Sequence, residues 1–132
     1  LEYSPYYPKK DWDFSRWQPD TVIIALGQND ANPEPERIKT PEYRRKWKDA
    51  YIGFLNDLRS KYPGARFVLI LTVLGHDPTW DDALDEICAE VDSPEVTHYR
   101  FRRCGKATNG HPRATEQEEM AGELYNYLTA AK

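Results

Sequence analysis

Two short stretches of this 132-residue chain carry side chains suited to acyl chemistry. Gly27-Gln28-Asn29-Asp30 follows a short apolar run, and Gly110-His111-Pro112 stands far downstream. Acyl transfer from an ester passes through a tetrahedral oxyanion that needs fixed hydrogen-bond donors, and a side-chain amide such as Asn29 is one. A histidine such as His111 can take the proton of an attacking hydroxyl and return it to the leaving alcohol. Gly27 lets the backbone turn sharply out of a strand and approach a bound molecule. Asp30 is expected to bond nearby backbone N–H groups. Asn109, in an Asn-Gly turn signal, has a side-chain oxygen that could accept the His111 Nδ1 proton, as could a nearby backbone carbonyl. Trp80 has two readings, stacking on a sugar ring or packing inside the protein. His76 and His98 have no partners at metal-ligand spacing and read as structural or surface residues.

The elements that position these residues follow from periodicity. Residues 21–26 (TVIIAL) are apolar and β-branched, bounded by Pro19-Asp20 and Gly27, and predict a strand buried on both faces. Pro33 and Pro35 predict a loop. Thr40 as cap, Pro41 at the first position and a stripe of Tyr43, Trp47, Tyr51, Phe54, Leu58 and Tyr62 predict a helix ended by Pro63-Gly64. Arg44, Arg45, Lys46 and Lys48 beside the stripe predict a solvated face. Residues 66–72 (RFVLILT) predict a second buried strand. A helix capped by Thr79 is expected to run to about Val91. Residues 95–101 predict a polar edge strand with His98, Arg100 and Arg102 on one face and Tyr99 and Phe101 on the other. The last helix is expected to open with a capping box of Thr115 and Glu118 and to bury Met120, Leu124 and Leu128. The order strand, helix, strand, helix, strand, helix implies a parallel sheet with crossover helices, an α/β layered fold. In such sheets sites form at the carboxyl ends of the strands, where both chemical stretches fall.

Composition narrows the class. Hydrophobic residues are 39% and charged residues 30%, the balance of a protein with a packed core. The net charge of −4 argues against nucleic acid and anionic membranes as partners, and no apolar run reaches the roughly 20 residues of a membrane span. No strand is followed by a Gly-rich phosphate loop. Cys88 and Cys104 read equally as one disulfide or as two buried thiols. The cluster Arg100, Arg102, Arg103 and Lys106 reads as an ordinary edge or as an anion site. The apolar character of residues 21–26 is unusual for an edge strand, which predicts neighbours on both sides, the missing ones lying upstream of Leu1.

Gly-x-Asn-Asp after a strand resembles the third conserved block of the SGNH hydrolases, and His111-Pro112 ahead of the last helix resembles their fifth. The stretches QPDTVIIALGQND, AYIGFLNDLRSKYPGARFVLIL and NGHPRATEQEEMAGEL resemble the second half of a family 2 carbohydrate esterase, and the resemblance covers nearly the whole chain. It implies a three-layer, flavodoxin-like parallel sheet with helices on both faces, of which residues 1–132 supply the last three strands and residues 1–20 an irregular lead-in. It implies a serine esterase that removes acetyl groups from a polysaccharide such as xylan or glucomannan, with His111 as base, Asn29 in the oxyanion hole, and no metal or organic cofactor. It also implies a secreted or periplasmic protein with a β-sandwich domain upstream.

Two departures qualify the resemblance. The family carries its nucleophilic serine in a Gly-Asp-Ser block, and Ser4, Ser15, Ser60 and Ser93 lie in unsuitable contexts. The nucleophile is therefore expected outside this chain, as is the second block with its oxyanion-hole glycine. Many relatives place an Asp two or three residues before the His, where this chain has Asn109 and Thr108. In a serine triad an Asp-to-Asn exchange costs about 10⁴ in rate, so a Ser-His dyad is expected instead. Two alternatives stay open: the same machinery acting on a different ester, and a non-catalytic relative that binds carbohydrate or a protein partner.

Overall fold

The computed structural model describes residues 12–108 and 111–130. Three strands form one parallel sheet in the order β1 (Thr21–Ala25), β2 (Arg66–Ile70), β3 (Val96–Tyr99). Thr21 aligns with Arg66, and Phe67 with Val96. Parallel pairing demands crossovers, and these are α2 (Pro41–Lys61) between the first two strands and α3 (Thr79–Val91) between the last two. The helix α4 (Ala114–Ala130) follows β3. A one-turn helix α1 (Gln28–Ala31) and 3₁₀ turns at Phe14–Arg16 and Arg37–Lys39 occupy segments expected to be irregular.

Side-chain alternation along β2 divides the interior. Phe67, Leu69 and Leu71 face α2 and α3 and join Ile24, Leu55, Trp80, Leu84 and Ile87 in the larger core. Val68 and Ile70 face the other way, toward Phe101 and the Met120, Leu124 and Leu128 face of α4. Helices therefore cover both faces, the three-layer arrangement expected. The α2 stripe packs as its period requires, with Leu55 added at its centre and fully buried.

Several local expectations are corrected. The strand at residues 21–25 is not buried on both faces: only Ile24 is buried, and Ile23 is 44% exposed, because α4 packs over β2 and β3 and leaves that face of β1 uncovered. Asp77, not Thr79, caps α3, accepting from the Thr79 N–H at 2.9 Å and from its hydroxyl. The box at the start of α4 uses neither Thr115 nor Glu118. Glu116 reaches back to the Arg113 N–H at 2.8 Å. Lys48 is buried rather than solvated. Its ammonium meets Glu86 at 2.9 Å and also Glu90, joining α2 to α3, while Arg44 pairs with Glu86. Cys88 and Cys104 are both free thiols, and burial pushes the Cys88 thiol up to about 11.

Candidate active site

The chain leaves β1 through Gly27, whose φ of +121° is open to glycine and strained for other residues. A Cβ there would meet Leu71 Cδ2 at 2.9 Å and the Trp47 ring at 3.3 Å. Gly27 thus lets the backbone pass close over the end of the sheet and start α1. The Ala31 N–H bonds Gly27 O at 2.9 Å and closes the turn. In the orientation that satisfies both neighbours, the Gln28 amide donates to Ala25 O and accepts from Thr72 N–H, tying the exits of β1 and β2 together.

Asn29, on this turn, is exposed, with no side-chain partner among the described residues. Asp30 is also exposed and makes no bond to backbone N–H groups among the described residues. It lines an open groove of about 230 Å³ with Leu26, Gly27, Trp47, Tyr51 and Phe54.

His111 reaches the same edge by another path. The helix α4 runs back along the sheet: Glu116 near its start accepts from Thr108, past the end of β3, and Leu128 O near its finish accepts from Arg66 at the start of β2. The loop before α4 therefore lies at the carboxyl edge, with His111 exposed in it. Glu116 holds both flanks of that loop, Thr108 at 3.3 Å and Arg113 at 2.8 Å. Asn109 and Gly110 lie outside the described residues.

Trp80 does not present a face to a sugar. It is fully buried against Trp47, ring centroids 5.4 Å apart, and its indole N–H donates to Pro35 O at 2.9 Å. The first turn of α3 points this residue at the core, so the packing reading holds. Three of the four residues in the basic cluster are paired: Arg100 with Asp82, Arg103 with Glu116 and Glu119, and Arg102 with Glu123 at 3.9 Å. Arg102 lies on the α4 side, off the His98 face, since the strand ends at Tyr99.

No protein-family model and no curated protein matches the chain. Solved structures do. An acetyl xylan esterase from the rumen bacterium Butyrivibrio proteoclasticus matches with a TM-score of 0.71 at 23% identity, over 93% of this chain and 40% of its own. A family two carbohydrate esterase from Cellvibrio japonicus gives 0.72 at 26%, over 95% and 36%. A family 2 enzyme with a carbohydrate-binding domain from Corynascus thermopiles (Myceliophthora fergusii) gives 0.78 at 21%, over 98% and 43%. This chain has the family 2 carbohydrate esterase fold. It spans roughly two fifths of the length of these structures.

Within this esterase fold the structure brings together a group that sequence spacing concealed. His76, Asp81, His98 and Cys104 meet where the loops after β2 and β3 touch the first turn of α3. His76 Nε2 lies 2.6 Å and Cys104 Sγ 2.8 Å from Asp81 Oδ2, and His98 Nε2 is 3.3 Å from Asp81 Oδ1. Along the sequence neither histidine has a partner at metal-ligand spacing. Burial opposes a charge on His76, but the hydrogen bonds to Asp81, Cys104 and Leu74 O and the Asp81 charge together outweigh it and push the imidazole up to about 10. Burial likewise opposes the Asp81 charge, and the hydrogen bonds from His76 and Cys104 with the neighbouring His98 together outweigh this and hold the carboxyl well below the usual range. Gly105 shapes the meeting point: at φ +62° a Cβ would stand 2.1 Å from His76 O. Only a scan for polar residues at the carboxyl ends of adjacent strands could have suggested the group.

Proposed function

We propose that this chain belongs to a secreted serine esterase that removes acetyl groups from a polysaccharide such as acetylated xylan. The observation that carries the reading is the likeness to family 2 carbohydrate esterases over nine tenths of this chain. Asn29 after β1 and His111 ahead of α4 stand at the sheet edge where α/β sites form. In this reading Asn29 donates to the oxyanion, and His111 accepts the proton of a serine supplied from outside this chain. Gly27 gives the ester room at the strand exit. Asn109 or a backbone carbonyl orients the imidazole, since no carboxylate precedes His111 at the usual positions. The upstream part of the protein carries the nucleophile block and a β-sandwich domain.

The test uses the full-length protein with acetylated xylan and 4-nitrophenyl acetate. Wild type is expected to release acetate from both. His111→Ala and Asn29→Ala, checked for folding, are expected to fall by about a hundredfold or more. An inert wild type, or full activity in His111→Ala, overturns the assignment and favours a carbohydrate-binding relative. Hydrolysis of 4-nitrophenyl acetate without any release from xylan moves the substrate to a different ester.

A further inference from the structure

We propose that His76, Asp81 and Cys104, with His98 beside Asp81, form a binding site for a divalent ion of the zinc class. The ligand atoms of His76, Asp81 and Cys104 all lie within 4.8 Å of one another. The His76, Asp81 and His98 side chains are only 3%, 2% and 1% exposed.

The placement of protons points to a cation. His76 Nδ1 lies 2.6 Å from Leu74 O, which can only accept, so Nδ1 carries the hydrogen. Nε2 then holds a second proton against the Asp81 carboxylate, 2.6 Å away, and an ion would take the place of that proton. His98 repeats the pattern, its Nδ1 2.8 Å from the Asp85 carboxylate and its buried Nε2 without a hydrogen bond beside Asp81 Oδ1. An imidazole nitrogen, a carboxylate and a thiol thus meet, with the His98 nitrogen beside the carboxylate. Metal-bound histidines have this arrangement, one nitrogen on the ion and the other N–H held by a carbonyl or carboxylate.

The donor set suits zinc, which takes nitrogen, oxygen and sulfur in tetrahedral geometry at about 2.0–2.3 Å. That geometry spaces neighbouring donors about 3.3–3.6 Å apart. His76 Nε2 and Cys104 Sγ, at 3.8 Å, are near that spacing, and Asp81 has to withdraw by roughly 1 Å. An ion here would pin the β2–α3 loop to the loop that leads to His111. Without an ion, the same groups form a closed network around a protonated His76.

Cobalt separates the two arrangements, and its readout is independent of ester hydrolysis. The full-length protein, stripped by a chelator, is titrated with Co²⁺. One equivalent per chain with a strong thiolate-to-cobalt absorption band, displaced by Zn²⁺, is expected. Cys104→Ser should lose the band and weaken binding about a hundredfold or more, His98→Gln should weaken it about tenfold or more, and Cys88→Ser should change neither. Should the variants not fold, X-ray absorption of the zinc-loaded wild type decides, with one sulfur among nitrogen and oxygen neighbours expected. Failure of wild type to take up one equivalent, a band that survives Cys104→Ser, or a zinc shell without sulfur overturns the proposal.

Discussion

The Glu116 carboxylate accepts the Arg113 N–H at 2.8 Å through Oε2 while its Oε1 stands 3.3 Å from Thr108 N, so one buried side chain on α4 clamps both ends of the loop bearing His111. In full-length protein, Glu116→Ala should therefore lower the turnover of 4-nitrophenyl acetate by about tenfold or more, since small misplacements of a reacting group are costly. Steady-state kinetics on the folded variant check this. Unchanged turnover would detach Glu116 from the positioning of His111.

The same carboxyl sets an acid limit. The Arg113 N–H is the main influence holding it below its ordinary 4.5, burial opposes, and Thr108 and Arg103 reinforce. A carboxyl depressed in the folded state stabilises above its unfolded pKa, and that contribution is lost as pH falls through the lower folded value. Denaturant midpoints should drop below about pH 4.5 more steeply in wild type than in Glu116→Gln. Parallel slopes would refute the linkage.

At Gly27 both the positive φ and the space forbid a side chain. Gly27→Ala is expected to lose about 1–3 kcal/mol, read by urea unfolding, and to disturb the turn carrying Asn29. A neutral substitution would mean that Leu71 and Trp47 yield and that the turn can relax.

Trp80 tests the packing reading directly. Trp80→Ala should cost about 3–5 kcal/mol, whereas Trp80→Phe keeps most of the contact with Trp47 and forfeits the bond to Pro35 O, worth about 1 kcal/mol. Neither change alters a sugar-facing surface, so any loss of carbohydrate affinity without loss of stability would contradict the burial.

The Lys48 ammonium should matter through its partners. Lys48→Ala leaves Glu86 and Glu90, one turn apart on α3, without their shared cation from α2. Both carboxylates are partly exposed, so a loss of about 1 kcal/mol is expected, and Lys48→Glu should lose more. Equal midpoints for all three proteins would show that the seam is held by its apolar contacts alone.

The sequence by itself determined the elements whose pattern is local. The repeat from Tyr43 to Tyr62 defines α2, the run in RFVLI defines β2, and their alternation defines a parallel layered sheet. Gly27 was legible as a tight exit because its need arises from its own backbone. Tertiary structure decided what depends on which face meets which neighbour. Trp80 is core because the start of α3 turns it onto Trp47, and Lys48 is buried because Glu86 and Glu90 approach from another helix. The exit of β1 and the loop before α4 share an edge only because the strands run parallel and α4 returns along them. The His76, Asp81, His98 and Cys104 group has no sequence signature, since its members come from separate elements and meet only through the pairing of β2 with β3. Periodicity reports the water-facing and core-facing sides of each element, while contacts between polar groups depend on distances that only the packed chain defines.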